Sequence, residues 1–261
     1  MRRMFQFMGA AALLALVIAA GVTARAAGVK TETVEFKSGD DTISAFLAEP
    51  AAPGKYPGLV VIHEWWGLSD WVKEQAQKFA EQGYVALAVD LYRGKTATDF
   101  STAHELMRGM PQDRAVRDLQ AGFAYLAGRP DVNANKIGDV GWCMGGGLAL
   151  QLAIHQPKLA ACIVNYGSLP TDPNDIAQIY APVVGNFGAD DHGITPDDVK
   201  AFEASMQKRG RFINVKIYPG AGHGFENPVN GAGYRPEAAA DAWKRSIDFL
   251  NALFKQPAKT K

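Results

Sequence analysis

Lys136-Ile137-Gly138-Asp139-Val140-Gly141-Trp142-Cys143-Met144-Gly145-Gly146-Gly147-Leu148-Ala149-Leu150 is the stretch on which the reading of this chain turns. Lys136 to Trp142 reads as a strand and Gly145 to His155 as a helix, with one cysteine set between glycines at the junction. Gly141-Trp142-Cys143-Met144-Gly145 fits G-x-C-x-G, the cysteine form of a nucleophile elbow, in the strand-to-helix context that motif requires. Such a turn forces its central residue into a strained backbone shape, and glycines two before and two after keep neighbouring side chains clear of it. The sulfur also faces the positive end of the following helix, which favours the attacking thiolate form. Gly146 and Gly147 let that helix pack closely against a sheet.

Working outward, the same alternation recurs. Leu59-Val60-Val61-Ile62 is a continuous apolar run, followed by an amphipathic helical stretch from Asp70 to Gln82 and the run Val85-Ala86-Leu87-Ala88-Val89. Helical periodicity covers Arg114 to Leu126, and strands are expected at Leu159 to Tyr166, Val183 to Phe187 and Phe212 to Tyr218. Helices are expected from Pro196 to Lys208 and from Glu237 to Phe254. Strands apolar on both faces, alternating with amphipathic helices, predict an α/β fold: a doubly wound, mostly parallel sheet with helices on both sides. Before it, Thr31 to Ala48 alternates polar and apolar residues around Ser38-Gly39-Asp40-Asp41, the pattern of a β-hairpin. In such sheets chemistry gathers at the carboxyl ends of the strands, here just after Ile62, Val89, Trp142, Phe187 and Tyr218.

The chain has 261 residues, 48% of them hydrophobic, with 27 basic and 27 acidic side chains. That balance, without a run of like charges, lacks the electrostatic footprint of a nucleic-acid binder, and no nucleic-acid partner is expected. Arg2 and Arg3 precede an apolar stretch from Gly9 to Val22, and Ala24-Arg25-Ala26 offers a small-residue cleavage site. Residues 1–26 therefore read as an export signal peptide, and residues 27–261 as one domain in the periplasm or outside the cell. The apolar core is short of the roughly 20 residues that span a bilayer, so no stable membrane anchor is expected after cleavage. The paired arginines leave the twin-arginine and general routes both open. Cys143 and Cys162 are the two cysteines; Cys162 lies in an apolar strand, and neither has the spacing of a zinc ligand. Gly94-Lys95-Thr96, His63-Glu64 and the triple glycine each miss the motif they resemble, so no metal or cofactor is expected.

The partners of a nucleophile elbow follow it as an acid and then a histidine. Gly188-Ala189-Asp190-Asp191-His192 follows one expected strand, and Gly220-Ala221-Gly222-His223-Gly224-Phe225 follows the last. His223 is the expected base and Asp191 the expected carboxylate, with Asp190 as the alternative. An acid here fixes the imidazole tautomer and orientation.

These residues, together with His63-Glu64-Trp65-Trp66-Gly67 and Asp90-Leu91-Tyr92-Arg93, resemble the dienelactone hydrolase family of α/β-hydrolases over nearly the whole mature chain. The resemblance implies an α/β-hydrolase fold, a carboxymethylenebutenolidase-like activity on small ester or lactone substrates, and a Cys143, Asp191, His223 triad. It also implies that Glu64 contacts the resting cysteine and takes part in switching thiol to thiolate. The fold's pattern assigns the oxyanion hole to the N–H groups of Met144 and Trp65. Arg93 matches an arginine with which the family binds a substrate carboxylate. The family's second arginine, four after the histidine, is replaced by Asn227, beside the acidic Glu226. That departure argues against dienelactone itself and leaves Trp65, Trp66, Tyr92 and Phe225 as an apolar pocket mouth, or as caps on the core. An acyltransferase using the same triad, and a catalytically silent binding protein on the hydrolase fold, are the competing readings.

Overall fold

A computed structural model describes residues 28–255; the expected signal peptide, residues 1–26, lies outside them. The strands are β1 (Val29–Ser38), β2 (Asp41–Pro50), β3 (Tyr56–Ile62), β4 (Val85–Val89), β5 (Val132–Trp142), β6 (Ala161–Asn165), β7 (Val183–Gly188) and β8 (Ile213–Tyr218). The helices are α1 (Asp70–Glu81), α2 (Phe100–Arg108), α3 (Gln112–Gly128), α4 (Met144–His155), α5 (Pro173–Gln178), α6 (Pro196–Lys208) and α7 (Pro236–Phe254). All eight strands join one sheet in the order β1-β2-β4-β3-β5-β6-β7-β8. β1 and β2 form the expected antiparallel hairpin, turning at Gly39 with φ 60°, and β2 runs antiparallel to β4. Every other pairing is parallel.

Continuous apolar strands arise because both faces are covered. In β3 and β4, Val60, Ile62, Leu87 and Val89 pack into the layer that contains α3, α4, α5 and α6, while Leu59, Val61, Ala86 and Ala88 pack with α1 and α7. The strand order reverses at β3, which lies between β4 and β5, so the carboxyl ends of these strands open into the crevice where such sheets bind ligands. The long elements follow the sequence expectation, α6 to the residue. Two short helices do not: α5 has six residues, and α2, capped by Asp99 accepting the Thr102 N–H at 3.0 Å, buries only Ala103. In nine residues, one buried alanine and the half-buried Leu106 make too short a stripe to stand out from the loop around it.

The first turn of α4 lies directly against three strand ends. A Cβ on Gly145 would collide with the carbonyl oxygen of Ile62 at the end of β3, and one on Gly146 would sit 2.7 Å from that of Asn165 in β6. Gly128, at the exposed end of α3, has nothing within 4 Å of the same position. Overpacking against backbone that cannot move costs about 1–3 kcal/mol or more, whereas Ala replacing Gly in an unstrained helical position stabilises by about 0.4–1 kcal/mol. Urea denaturation of the two variants therefore gives opposite signs: Gly145→Ala destabilises by at least about 1 kcal/mol, and Gly128→Ala is neutral or stabilising. A neutral Gly145→Ala would mean that the elbow tolerates a wider separation.

Candidate active site

Cys143 sits between β5 and α4 with φ 55° and ψ −120°, a conformation that side-chain-bearing residues rarely adopt. Its N–H donates to the Asn165 carbonyl at 3.0 Å, and its own carbonyl accepts from Gly146 at 3.0 Å. A chain of amides supports the turn from below: Asn165 Nδ2 donates to the Gly141 carbonyl at 3.2 Å, and Asn186 Nδ2 donates to Asn165 Oδ1 at 2.8 Å. Both cysteines are free thiols, Cys162 fully enclosed within β6 and Cys143 partly open.

The expected partners converge on this sulfur from separate strand ends. Asp191 follows β7 and is nearly enclosed, its Oδ1 accepting the N–H groups of Gly193 at 2.8 Å and Ile194 at 3.0 Å. His223 follows β8 and donates from Nδ1 to Asp191 Oδ2 at 2.8 Å. Asp191, and not the exposed Asp190, is thus the carboxylate that orients the imidazole; His192 is exposed as well. Burial pulls the Asp191 pKa up, and the bond from His223 followed by the two backbone N–H groups brings it below the usual carboxylate value. For His223, burial opposes the charged form, but Asp191 and then the Cys143 sulfur outweigh it and push its pKa up to about 10. The imidazole therefore lies between two groups that favour its protonated state.

Behind them lies a second group of acids. Glu64, after β3, is buried with Oε2 accepting from Asn227 Nδ2 at 2.5 Å and Oε1 from the Tyr166 hydroxyl at 3.4 Å. Burial pushes its pKa up to about 7 against these donors and the charge of His223. Glu226 accepts from Trp142 Nε1 at 3.0 Å; burial, reinforced by the nearby Glu64 charge, pushes it up to about 8 despite that bond. His63 holds the loop that carries Glu64: its Nδ1 donates to the Glu64 carbonyl at 2.6 Å and its Nε2 accepts the Leu91 N–H at 3.3 Å. These partners fix a neutral tautomer, consistent with the burial that lowers its pKa.

Trp65 and Met144 present backbone N–H groups that have no acceptor among the described residues. A cavity of about 960 Å³ contains Cys143, His223, Glu64, Trp65 and Trp66. Tyr92 is buried beneath α4, where its hydroxyl donates to Met144 Sδ at 3.3 Å, so it touches the residue after the cysteine without facing the cavity. Two further expected substrate contacts are corrected. Arg93 has φ 58°, which turns it away from the cavity: its Nη2 lies 2.7 Å from the fully buried Asp118 of α3 and 3.5 Å from Asp41. Its charge is committed to an enclosed carboxylate, whose Oδ1 also accepts from Ser38 Oγ at 2.5 Å. Phe225 is fully buried against Tyr166 and Tyr218 and belongs to the core. Sequence reasoning missed Tyr166, which it placed inside a strand. Tyr166 instead follows β6 with φ 39° and sets its ring edge-on to His223 at 5.4 Å; its place at a strand's carboxyl end was the available sign.

Comparison with known proteins bears on the family and the fold. The family model described as the dienelactone hydrolase family matches residues 43–254. A protein of Methylorubrum extorquens assigned as a carboxymethylenebutenolidase is 30% identical over 237 residues, covering 85% of this chain and 81% of its own. One from Bradyrhizobium, assigned as a 2-oxo-3-(5-oxofuran-2-ylidene)propanoate lactonase, is 29% identical and covers 85% and 94%. Among solved structures, the dienelactone hydrolase-like promiscuous phosphotriesterase P91 from metagenomic libraries superposes with a TM-score of 0.80 at 26% identity, covering 87% of this chain and 99% of that one.

The raised pKa of His223 depends in part on the sulfur beside it. Replacing Cys143 by Ala removes that contribution and leaves burial working against Asp191 alone. Proton NMR titration of the histidines is expected to show the His223 resonance moving by more than about one unit toward its ordinary value in Cys143→Ala. An unchanged titration would mean that sulfur and imidazole are not electrostatically coupled.

Proposed function

The chain belongs to the dienelactone hydrolase family and is a hydrolase of carboxylic esters or lactones, and on that premise we propose that it works through a Cys143, His223, Asp191 triad with an acyl-thioester intermediate. The observation that carries this reading is the His223 to Asp191 hydrogen bond at 2.8 Å beside a cysteine held in the strained elbow conformation. The Cys143 thiolate adds to the ester carbonyl carbon, forming an S–C bond, and the carbonyl oxygen takes the displaced electron pair. The N–H groups of Met144 and Trp65 hold that oxyanion; one such donor is typically worth about 3 to 4 kcal/mol. As the oxyanion collapses the C–O bond breaks, and His223, protonated at rest, gives its proton to the leaving alkoxide.

The acyl-enzyme then resets the base. Once the sulfur is bonded to carbon it carries no negative charge, so one of the two influences that raise the His223 pKa is gone. The imidazole, now neutral, takes a proton from water as the water oxygen attacks the thioester; the S–C bond breaks and the thiolate and imidazolium return. Asp191 keeps Nδ1–H directed away so that Nε2 faces the chemistry throughout. Glu64, its carboxyl biased toward the protonated form by burial, bonds Asn227 and Tyr166 and, among the described residues, not Cys143 as expected; it acts on the thiolate-imidazolium pair through its charge interaction with His223.

A panel of p-nitrophenyl esters and small lactones tests the assignment. Wild type is expected to turn them over, Cys143→Ala to lose at least about 10⁴-fold in kcat, and Asp191→Asn to lose on the order of 10⁴-fold through the wrong tautomer. Comparable turnover by wild type and Cys143→Ala would remove the nucleophile. In the same series Glu64→Gln is expected to lower kcat and change its pH profile; full activity with an unchanged profile would remove Glu64 from the mechanism.

The reading includes export of residues 27–261 as one domain, supported by Arg2, Arg3, the apolar stretch to Val22 and the Ala24-Arg25-Ala26 site. Amino-terminal sequencing of protein from a periplasmic or secreted fraction is expected to begin at Ala27. Recovery of a chain that starts at Met1 in the cytoplasmic fraction would overturn it.

A further inference from the structure

We propose that the substrate is a neutral, open-chain ester with an apolar group on each side of its carbonyl, the aromatic or bulky alcohol in one cavity and the acyl chain in a second. The inference rests on the hydrolase reading above and names its substrate class. Cys143 and His223 line not one cavity but two: the 960 Å³ space and another of about 400 Å³. The thiol thus stands at the seam between them. Both volumes lie within the range of about 300–1,000 Å³ that holds small organic ligands. A carbonyl carbon bonded to sulfur at that seam can send one substituent into each space. A compact lactone ties both substituents into one ring and leaves one space unfilled.

The linings define the chemistry. The larger cavity is walled by Trp65, Trp66, Trp71, Phe100 and Val229, with Trp65, Trp66 and Phe100 forming one aromatic cluster at ring separations of 5.0 to 5.7 Å. Phe100, 69% exposed on α2, extends that surface to the rim. The smaller cavity is lined by Met110, Met144, Leu148, Leu169, Pro170 and Ile194, and Met107 borders both. Among the described residues, no lysine or arginine lines either. Apart from His223, the charged lining groups are Glu64 and Asp70, both acidic and both in the larger cavity. A substrate carboxylate would lose its water there and meet no cation but the His223 imidazolium, which Asp191 and the cysteine sulfur already neutralise. Arg93, the group expected to supply that cation, is spent on Asp118.

Three substrates with the same p-nitrophenolate leaving group separate the terms: the acetate, the hexanoate and the monoester of adipic acid, which resembles the hexanoate with a terminal carboxylate. Each buried methylene is worth up to about fourfold, so kcat/KM for the hexanoate is expected at least about tenfold above the acetate. The adipate monoester is expected at least about tenfold below the hexanoate. Gln112→Arg, a substitution at an exposed position bordering the smaller cavity, is expected to raise the adipate-to-hexanoate ratio at least about fivefold. Equal rates for acetate and hexanoate, an adipate monoester as good as the hexanoate, or a ratio unmoved by Gln112→Arg would each overturn the proposal while hydrolysis by wild type over Cys143→Ala still stood. Wild type no faster than Cys143→Ala on every ester would instead sink the hydrolase reading, and this one with it.

Discussion

Backbone touching backbone at the start of α4 is the constraint on which the site depends. Gly141, Gly145, Gly146 and Gly167 bring the elbow, the end of β3 and the turn after β6 so close that a Cβ at any of them would collide with main-chain atoms. That closeness is what holds Cys143 at φ 55°, a conformation costing on the order of 1–3 kcal/mol that persists only where its surroundings over-determine it. The consequence is positional. With the sulfur fixed at a strand end, its partners need only arrive on the loops after β3, β7 and β8, which the parallel sheet delivers to the same edge.

Three carboxylates near one sulfur then divide the electrical work through their surroundings. Asp191 accepts two backbone N–H groups and the imidazole and stays ionised. Glu64 is enclosed and Glu226 half-buried, both with fewer donors, and among the described residues Glu226 Oε1 has no hydrogen-bond partner, so burial draws both toward the neutral form. Environments that push the pKa values of like groups apart separate an orienting anion from acids able to hold protons. Asn227 is central to this division. It bonds Glu64 without bringing a charge, where an arginine would have held the carboxyl ionised.

How far the sequence could be read follows from what each residue packs against. Strands and long helices were legible because their apolar pattern records burial on two faces, and the meeting of Cys143, Asp191 and His223 at one sheet edge because an elbow and two glycine-flanked loops punctuate the strand ends. Loop neighbours were not, since adjacency along the chain does not set direction. Arg93 lies one residue from Tyr92 and points to Asp118; Phe225 lies two residues from His223 and points into the core. Asp118 itself sits within an amphipathic helix pattern that gives no hint of an enclosed ion pair. Tyr166 was hidden by the run that precedes it, because an apolar strand with an aromatic end looks the same whether the ring continues the ladder or turns, as here, toward the histidine.

The same contrast separates the chemistry from its selectivity. Cys143 and Asp191 hang on the buried ends of β5 and β7, where a shift of position is opposed by the whole sheet, and His223 follows the edge strand β8 and is tied to them through Asp191. The cavity walls come partly from pieces with little stake in the core: α2 buries a single residue yet contributes Phe100 and Met107, and the 3₁₀ turn Pro228–Gly233 buries none yet contributes Val229 and Asn230. Segments held so lightly can change residues at small cost in stability, while the elbow's glycines cannot. A scaffold built this way can change its cavity wall and leave the residues at the strand ends in place. In this chain Arg93 is paired with Asp118 and Asn227 with Glu64, so among the described residues the cavity walls hold no arginine or lysine, while Cys143, Asp191 and His223 stand together at the sheet edge.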